Sequence, residues 1–203
     1  MIFTQWNWPG RIFSGVIVVT VMSAIQPLFS RPRESVRSHP CQSNLKQISL
    51  GLLQYCADFN DKMPYVTAAT GWAEALQPYL RSKQIFICPN GRLTPQPKPR
   101  VTQYTDYFYN ARVQGWEVEN IDEPTQVIML GDGNDGVDVT DASYAKTEIP
   151  LSWRTDQSSP AFRHNYRGNY AFLDGHVKAV PVEHITTDQK SSKYYFQLQK
   201  LQK

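Results

Sequence analysis

The sequence predicts an α+β fold: an apolar N-terminal helix, one amphipathic helix, and a head of short antiparallel strands. Three observations carry that prediction. Residues 12–30 run without a charge. Leu45, Ile48, Leu52, Cys56 and Phe59 recur at spacings of three and four, the period of a helix with one core-facing side. Asn169–Leu173 and His176–Val182 are strand-like runs on either side of Asp174-Gly175, a hairpin signature.

The uncharged N-terminal segment lies between Arg11 and Arg31, and Trp6 and Trp8 precede it. At ~1.5 Å per residue a helix here would reach roughly the ~30 Å of a hydrocarbon core. Residues 1–30 therefore read as a single-pass anchor, inserted through residues 12–29. Pro27 would kink or end such a helix. Two other readings stay open. One is a cleaved signal peptide, although no small-residue cleavage site follows. The other is a buried helix. Arg31, Arg33 and Arg37 follow the segment while Arg11 alone precedes it. The positive-inside rule by itself would then hold the C-terminal side in the cytoplasm.

Residues 31–60 form the amphipathic unit, with its helix from about Gln42 to Asn60. Pro40 and Ser43 are start signals, and Leu53 and Tyr55 widen the apolar stripe. Lys46, Gln47, Gln54 and Asp58 take the opposite face. Pro64 ends the pattern, because the residue before a proline avoids the helical region. Cys56 reads as a small buried apolar residue.

Residues 61–188 are the globular head. Residues 71–81 read as a short helix with Trp72, Leu76 and Leu80 inward. Residues 84–88 read as a short apolar strand, and Pro95, Pro97 and Pro99 mark an extended linker. Residues 101–110 are aromatic and strand-like, and residues 126–130 read as a buried strand bounded by Pro124 and Gly131. Residues 131–141 read as a polar loop with four aspartates. The Asp174-Gly175 hairpin is expected to close on a type I′ turn. Residues 189–203 read as a polar C-terminal tail.

Composition narrows function. The 203 residues carry 21 Lys+Arg against 18 Asp+Glu, a net charge of +3, with no basic patch. No nucleic-acid partner is expected from such a balance. Three cysteines, none in a C-x-x-C, cannot make a disulfide framework. No nucleophile elbow, phosphate loop or zincin helix occurs, so no enzyme is expected.

Several elements, in order, resemble one family. Cys41, Asn44, Leu45, Lys46, Gln47, Ile48, Tyr55 and Pro64 stand where bacterial prepilin-like proteins carry a Cys-x-x-Asn-Leu-Lys-Gln-Ile opening, a Tyr and a Pro. Phe86-Ile87-Cys88-Pro89 resembles that group's Phe-x-Cys-Pro element. His164 with Asp174-Gly175, extended by His176, resembles its processing-associated H-x9-DG motif. The resemblance spans about residues 40–180. It implies a type IV pilin or type II secretion pseudopilin-like architecture: an inner-membrane helix and an exported head, periplasmic or extracellular, whose sheet packs on the amphipathic helix. Its partners would be other pilin-like or secretion-apparatus subunits. The processing site departs from the pattern. Gly10 is followed by Arg11, and Gly15 stands where such proteins carry a Glu.

An exported head faces an oxidising compartment, which makes Cys41 and Cys88 candidates for a disulfide. Two unpaired thiols is the other reading. His164, Asp174 and His176, with Asp132, are a candidate metal or hydrolase cluster. Set against this, Asp174 suits a turn before Gly175, and His164 suits a hydrogen bond that fixes a loop. Asp132, Asp135 and Asp138 offer oxygen ligands for calcium, although the loop does not fit the EF-hand spacing. A solvated turn is the competing account.

Overall fold

The computed structural model describes residues 33–67, 70–91, 104–187 and 193–198. The expected anchor at residues 1–30, the Pro95–Pro99 linker and residues 199–203 lie outside them. Residues 37–203 make up one compact unit. Among the described residues, no helix is long and apolar enough to cross a membrane.

Helix α1 runs Arg33–Asp58. It begins nine residues before the expected Gln42, and Pro40 lies inside it rather than at its start. Cys41, Leu45, Ile48, Leu52 and Cys56 are all buried, as their spacing requires. Phe59 departs from the stripe: it lies beyond the last turn, half-exposed, and stacks on Tyr55 with ring centroids 4.3 Å apart. The stop is built by Asn60 in the left-handed region (φ 54°), with Asp61 N–H donating to the Cys56 carbonyl at 2.7 Å. That six-to-one bond is a Schellman closure, in which asparagine stands in for glycine.

A short helix α2 (Trp72–Ala75) follows, shorter than the expected 71–81. The apolar run 84–88 is not a strand. Residues Lys83–Phe86 form a 3₁₀ turn, capped by Ser82 Oγ accepting from Gln84 N–H at 3.2 Å. The cap satisfies a backbone donor that a strand would have to pair elsewhere.

The main sheet has five strands in the order β3-β1-β2-β4-β5. They are β1 (Tyr107–Asn110), β2 (Ile128–Asp132), β3 (Ala145–Lys146), β4 (Gly168–Phe172) and β5 (Val177–Val180). Every pairing is antiparallel except β1 with β3. Side chains alternate across this sheet, so each face builds its own core. Tyr107, Tyr109, Met129 and Ala171 pack with α1. Phe108, Ile128, Tyr170 and Phe172 pack on the other side with Ile149, Val182 and Phe196, joined by Trp153 of α3 (Leu151–Thr155).

That second core changes the reading of the C-terminus. Strands β6 (Ile185–Thr186) and β7 (Tyr194–Tyr195) pair in parallel, and Tyr194, Tyr195 and Phe196 are buried. Residues 193–198 are thus a covering layer for the sheet rather than a polar tail. The three adjacent aromatics offset the polar residues around them.

The hairpin between β4 and β5 also differs from its expected form. Ala171 pairs with Val177, and Phe172 N–H donates to the His176 carbonyl at 3.0 Å, which leaves a three-residue loop of Leu173, Asp174 and Gly175. Only Gly175 among these has a positive φ, +82°. This is a turn with a left-handed glycine bulge, not a type I′ turn. Leu173 is the reason for the extra residue: it is fully buried and its N–H donates to the Val127 carbonyl.

A type I′ turn does occur, one strand earlier. His164 and Arg167 exchange both backbone hydrogen bonds across Asn165 (φ 54°) and Tyr166 (φ 62°). Two positive-φ central residues are the condition for that turn.

Candidate functional site

The most chemically loaded place in the molecule lies between the start of α1 and the start of β4. Cys41, in the helical stripe, and Cys88, just past the 3₁₀ turn, form a disulfide with their Cα atoms 5.3 Å apart. Both are buried. Asp106 positions Cys88: its Oδ2 accepts from Cys88 N–H at 2.8 Å, and its N–H donates to the Phe86 carbonyl at 2.8 Å.

His164 lies against this bridge. Its Nε2 is 3.7 Å from Cys88 Sγ and 3.2 Å from Asp132 Oδ2, and Asn90 Nδ2 is 3.3 Å from its Nδ1. These contacts are consistent with one tautomer, in which Nε2–H donates to the carboxylate and Nδ1 accepts from the amide. The type I′ turn at Asn165-Tyr166 reverses the chain immediately after His164, at the entry to β4.

Asp132 is the last residue of β2 and is fully buried. Its Oδ2 also accepts from Asn169 N–H at 2.6 Å, while its Oδ1 meets no hydrogen-bond donor among the described residues. Burial first, and then this carboxylate, push the phenols of Tyr107 and Tyr170 well above the ordinary tyrosine range. Both therefore stay protonated beside it. Asn169 links the site back to the helix, because its Oδ1 accepts from Gln42 Nε2 at 3.0 Å.

The motifs read separately in the sequence close on one another. Asn44 Nδ2 donates to the Ile87 carbonyl at 3.0 Å, and Lys46 Nζ donates to the Gly175 carbonyl at 2.7 Å. The helix opening thus touches both the Phe-x-Cys-Pro element and the far end of the H-x9-DG element. His164 stands before β4 and Asp174-Gly175 after it, so α1 and β4 run in the same direction, and β4 is tied at both of its ends to the first half of the helix, through Gln42 and Lys46.

The other expected sites are arranged differently. His164 and Asp132 meet, but Asp174 and His176 pair with each other at the opposite end of β4, Nδ1 to Oδ1 at 2.6 Å, partly exposed. The four residues therefore do not assemble into one His/Asp cluster. His176 stacks on Phe172 at 4.3 Å. The three loop aspartates face three different partners. Asp132 turns inward to His164, Asp138 pairs with Lys146, and Asp135 accepts from Trp153 Nε1 at 2.6 Å. Burial pulls the Asp135 carboxyl up. The Trp153 bond, the Val137 and Asp138 amides and Lys146 outweigh it and hold the group below its usual range. Asn90, Asn169 and Gln42 had no sequence signal as site residues, since single amides between motifs look like ordinary surface polarity.

Comparison with known proteins gives one finding. The sequence model of a family described as proteins of unknown function (DUF1559) matches residues 30–86. The matched stretch contains α1, α2 and the 3₁₀ turn before Cys88. No curated protein and no solved structure matches the chain.

Proposed function

We infer that this protein is a non-catalytic, membrane-anchored, pilin-like subunit of an envelope assembly or secretion apparatus, with an exported head. The observation that carries the reading is the Cys41–Cys88 bridge, which fastens the helix following the apolar segment to the sheet-bearing head. A buried structural disulfide suits an oxidising compartment outside the cytoplasm. Two further points support it. The match over residues 30–86 is to a family associated with pilin-like and prepilin-type proteins. The helix-on-antiparallel-sheet architecture agrees with what the motif resemblance implies. In this reading, residues 12–29 insert in the inner membrane, and the partners are other pilin-like or secretion-apparatus subunits.

Protease shaving of a C-terminally tagged protein in intact spheroplasts, with membrane fractionation alongside, tests the proposal. A membrane-bound tag that is degraded from outside agrees with it. A tag protected until lysis would put the head in the cytoplasm, as Arg31, Arg33 and Arg37 alone would suggest, and would overturn it.

A further inference from the structure

The disulfide sits among groups that a structural bridge does not need. A buried histidine faces it, a buried carboxylate stands behind the histidine, and one carboxylate oxygen is without a donor among the described residues. The ligand atoms of Cys41, Cys88 and His164 all lie within 4.8 Å of one another. We propose that, once the Cys41–Cys88 bond is reduced, Cys41, Cys88, His164 and Asp132 form a four-coordinate site for one zinc ion.

The spacing fits that chemistry. Zinc with Zn–S of about 2.3 Å and Zn–N and Zn–O of about 2.0 Å, in a tetrahedron, sets an S···N edge of roughly 3.6 Å and an O···N edge of roughly 3.3 Å. The observed Cys88 Sγ···His164 Nε2 separation is 3.7 Å, and Asp132 Oδ2···His164 Nε2 is 3.2 Å. Those two edges are already in place in the oxidised protein, whereas the Asp132 carboxylate lies outside the 4.8 Å grouping of the two sulfurs and His164, so it has to close on the metal as the sulfurs part. Breaking the S–S bond frees the two sulfurs to open to their own edge of roughly 3.8 Å. Thiolates, imidazole and carboxylate are all zinc ligands.

The steps balance. A phosphine reductant and one water convert the bridge to two thiols and a phosphine oxide. Zinc then displaces a proton from each thiol, so two protons leave. His164 gives up the Nε2 proton and carries one on Nδ1, which Asn90 accepts after turning its amide so that Oδ1 faces the ring. Asn90 is then the positioning residue that fixes the metal-binding tautomer. The bridge and the metal are alternative clasps for one junction, between α1 and the entry to β4, selected by redox state.

The test uses the full-length chain in detergent, stripped of metal and reduced with a phosphine, then titrated with cobalt(II) as a spectroscopic stand-in and with zinc against a chromophoric chelator. The expected result is one ion per chain, thiolate-to-cobalt charge transfer with the intense visible bands of a tetrahedral site, and loss of both on oxidation. Cys88→Ser should remove about half of the thiolate-to-cobalt intensity, and changing Cys41 and Cys88 to serine together should remove all of it. Asp132→Asn and Asn90→Ala should each weaken zinc at least about 10-fold. Cys56→Ala, which removes the cysteine outside the site, should leave the titration unchanged. If reduction unfolds the head, near-ultraviolet circular dichroism regained on adding zinc supports the site, and a signal that zinc does not restore overturns it. A weak octahedral cobalt spectrum in the reduced protein, or charge transfer undiminished in Cys88→Ser, also overturns it.

Discussion

Lys46 Nζ donates to the Gly175 carbonyl at 2.7 Å, across 129 positions of sequence. The bond joins the outward edge of α1 to the hairpin turn at the end of β4, and Leu53 packs beneath it. A Cβ added at Gly175 would stand 2.9 Å from Leu53 Cδ1, and the φ of +82° already disfavours any side chain. Gly175 of the H-x9-DG element thus has a local reason to be glycine, and Lys46 on the helix has a reason to be lysine.

Lys46→Met keeps the aliphatic stem and removes the donor. A hydrogen bond from a charged group contributes about 1.5–3 kcal/mol when buried, and this one is part-buried, so a loss of ~1 kcal/mol is expected. For a chain of this size that is a fall of about 2–4 °C in Tm. Gly175→Ala should cost more, about 1–2 kcal/mol, because backbone strain and the Leu53 contact add. Gln47→Ala, on the exposed face of the same helix, should change stability by less than about 0.5 kcal/mol. Thermal melts of the three variants check the order.

The disulfide spans 47 positions. Closing a loop of that length removes unfolded-state entropy equivalent to about 4 kcal/mol. The Cys41→Ala, Cys88→Ala double variant should lower the urea midpoint accordingly, with non-reduced gel mobility confirming the lost bridge. An unchanged midpoint would mean that α1 is held to the head by its apolar stripe alone.

How much of this was legible in the sequence differs by element. The α1 stripe was readable because Leu45, Ile48, Leu52 and Cys56 keep helical spacing and are all buried, whereas Phe59, the next in the series, falls past the helix end and is half-exposed. The early start of α1 was not, because Pro40 is a normal start signal and nothing local says the helix continues through it. Residues 84–88 look like a strand by hydrophobicity, yet Ser82 caps a 3₁₀ turn there and Ile87 points outward. Asp132 was readable as a candidate ligand but not as the end of a strand, because Gly131-Asp132-Gly133 has the composition of a loop. Gly131 is in fact needed inside the sheet: a Cβ there would come within 2.6 Å of the Phe108 and Tyr170 rings. The meeting of Cys41, Cys88, His164 and Asp132 depends on three long-range contacts, and no single spacing encodes it.

His164 and Asp132 are each fully buried at the side chain. Removing either leaves the other without its partner in a dry core, so each single change should be costly and the two together should not add. His164→Ala and Asp132→Ala should each lose about 2–4 kcal/mol. The double variant should fall short of the sum by about 1–3 kcal/mol. Urea unfolding of the four proteins in the cycle measures the coupling, and a coupling near zero would mean that the contact is incidental to stability.

Cys56 has a different chemistry from the bridged pair. Burial first, then the nearby Asp61 charge, push its thiol from 9.0 up to about 11. In the folded protein it should resist alkylation at pH 8 and react once the chain unfolds. The folded state holds this proton more tightly than the unfolded one, so its contribution to stability is complete below pH 9 and is lost as pH rises toward 11. The loss is roughly 2–3 kcal/mol if the full shift is realised. Buried tyrosines add to the alkaline slope of the wild type. The difference between wild type and Cys56→Ala, followed from pH 8 to 11, isolates the cysteine: the variant should show the shallower decline.

Tyr166 occupies the second central position of the type I′ turn with φ 62°, and its side chain is 65% exposed. A tyrosine there gains little by burial and bears the strain of the left-handed region, about 1–2 kcal/mol for a residue with a Cβ. Glycine removes that strain and gives back about 0.5–1 kcal/mol through the freer unfolded chain. Tyr166→Gly should therefore stabilise the head by roughly 0.5 kcal/mol, producing the Asn-Gly pair such turns favour. Tyr166→Asn should be close to neutral or slightly stabilising, because asparagine tolerates the same backbone. Tyr166→Val should destabilise, since a β-branched side chain suits that region least. The order Gly, Asn, Tyr, Val in melting temperature would show that backbone conformation sets the preference. A Tyr166→Gly protein less stable than wild type would instead assign the exposed ring a stabilising contact of its own.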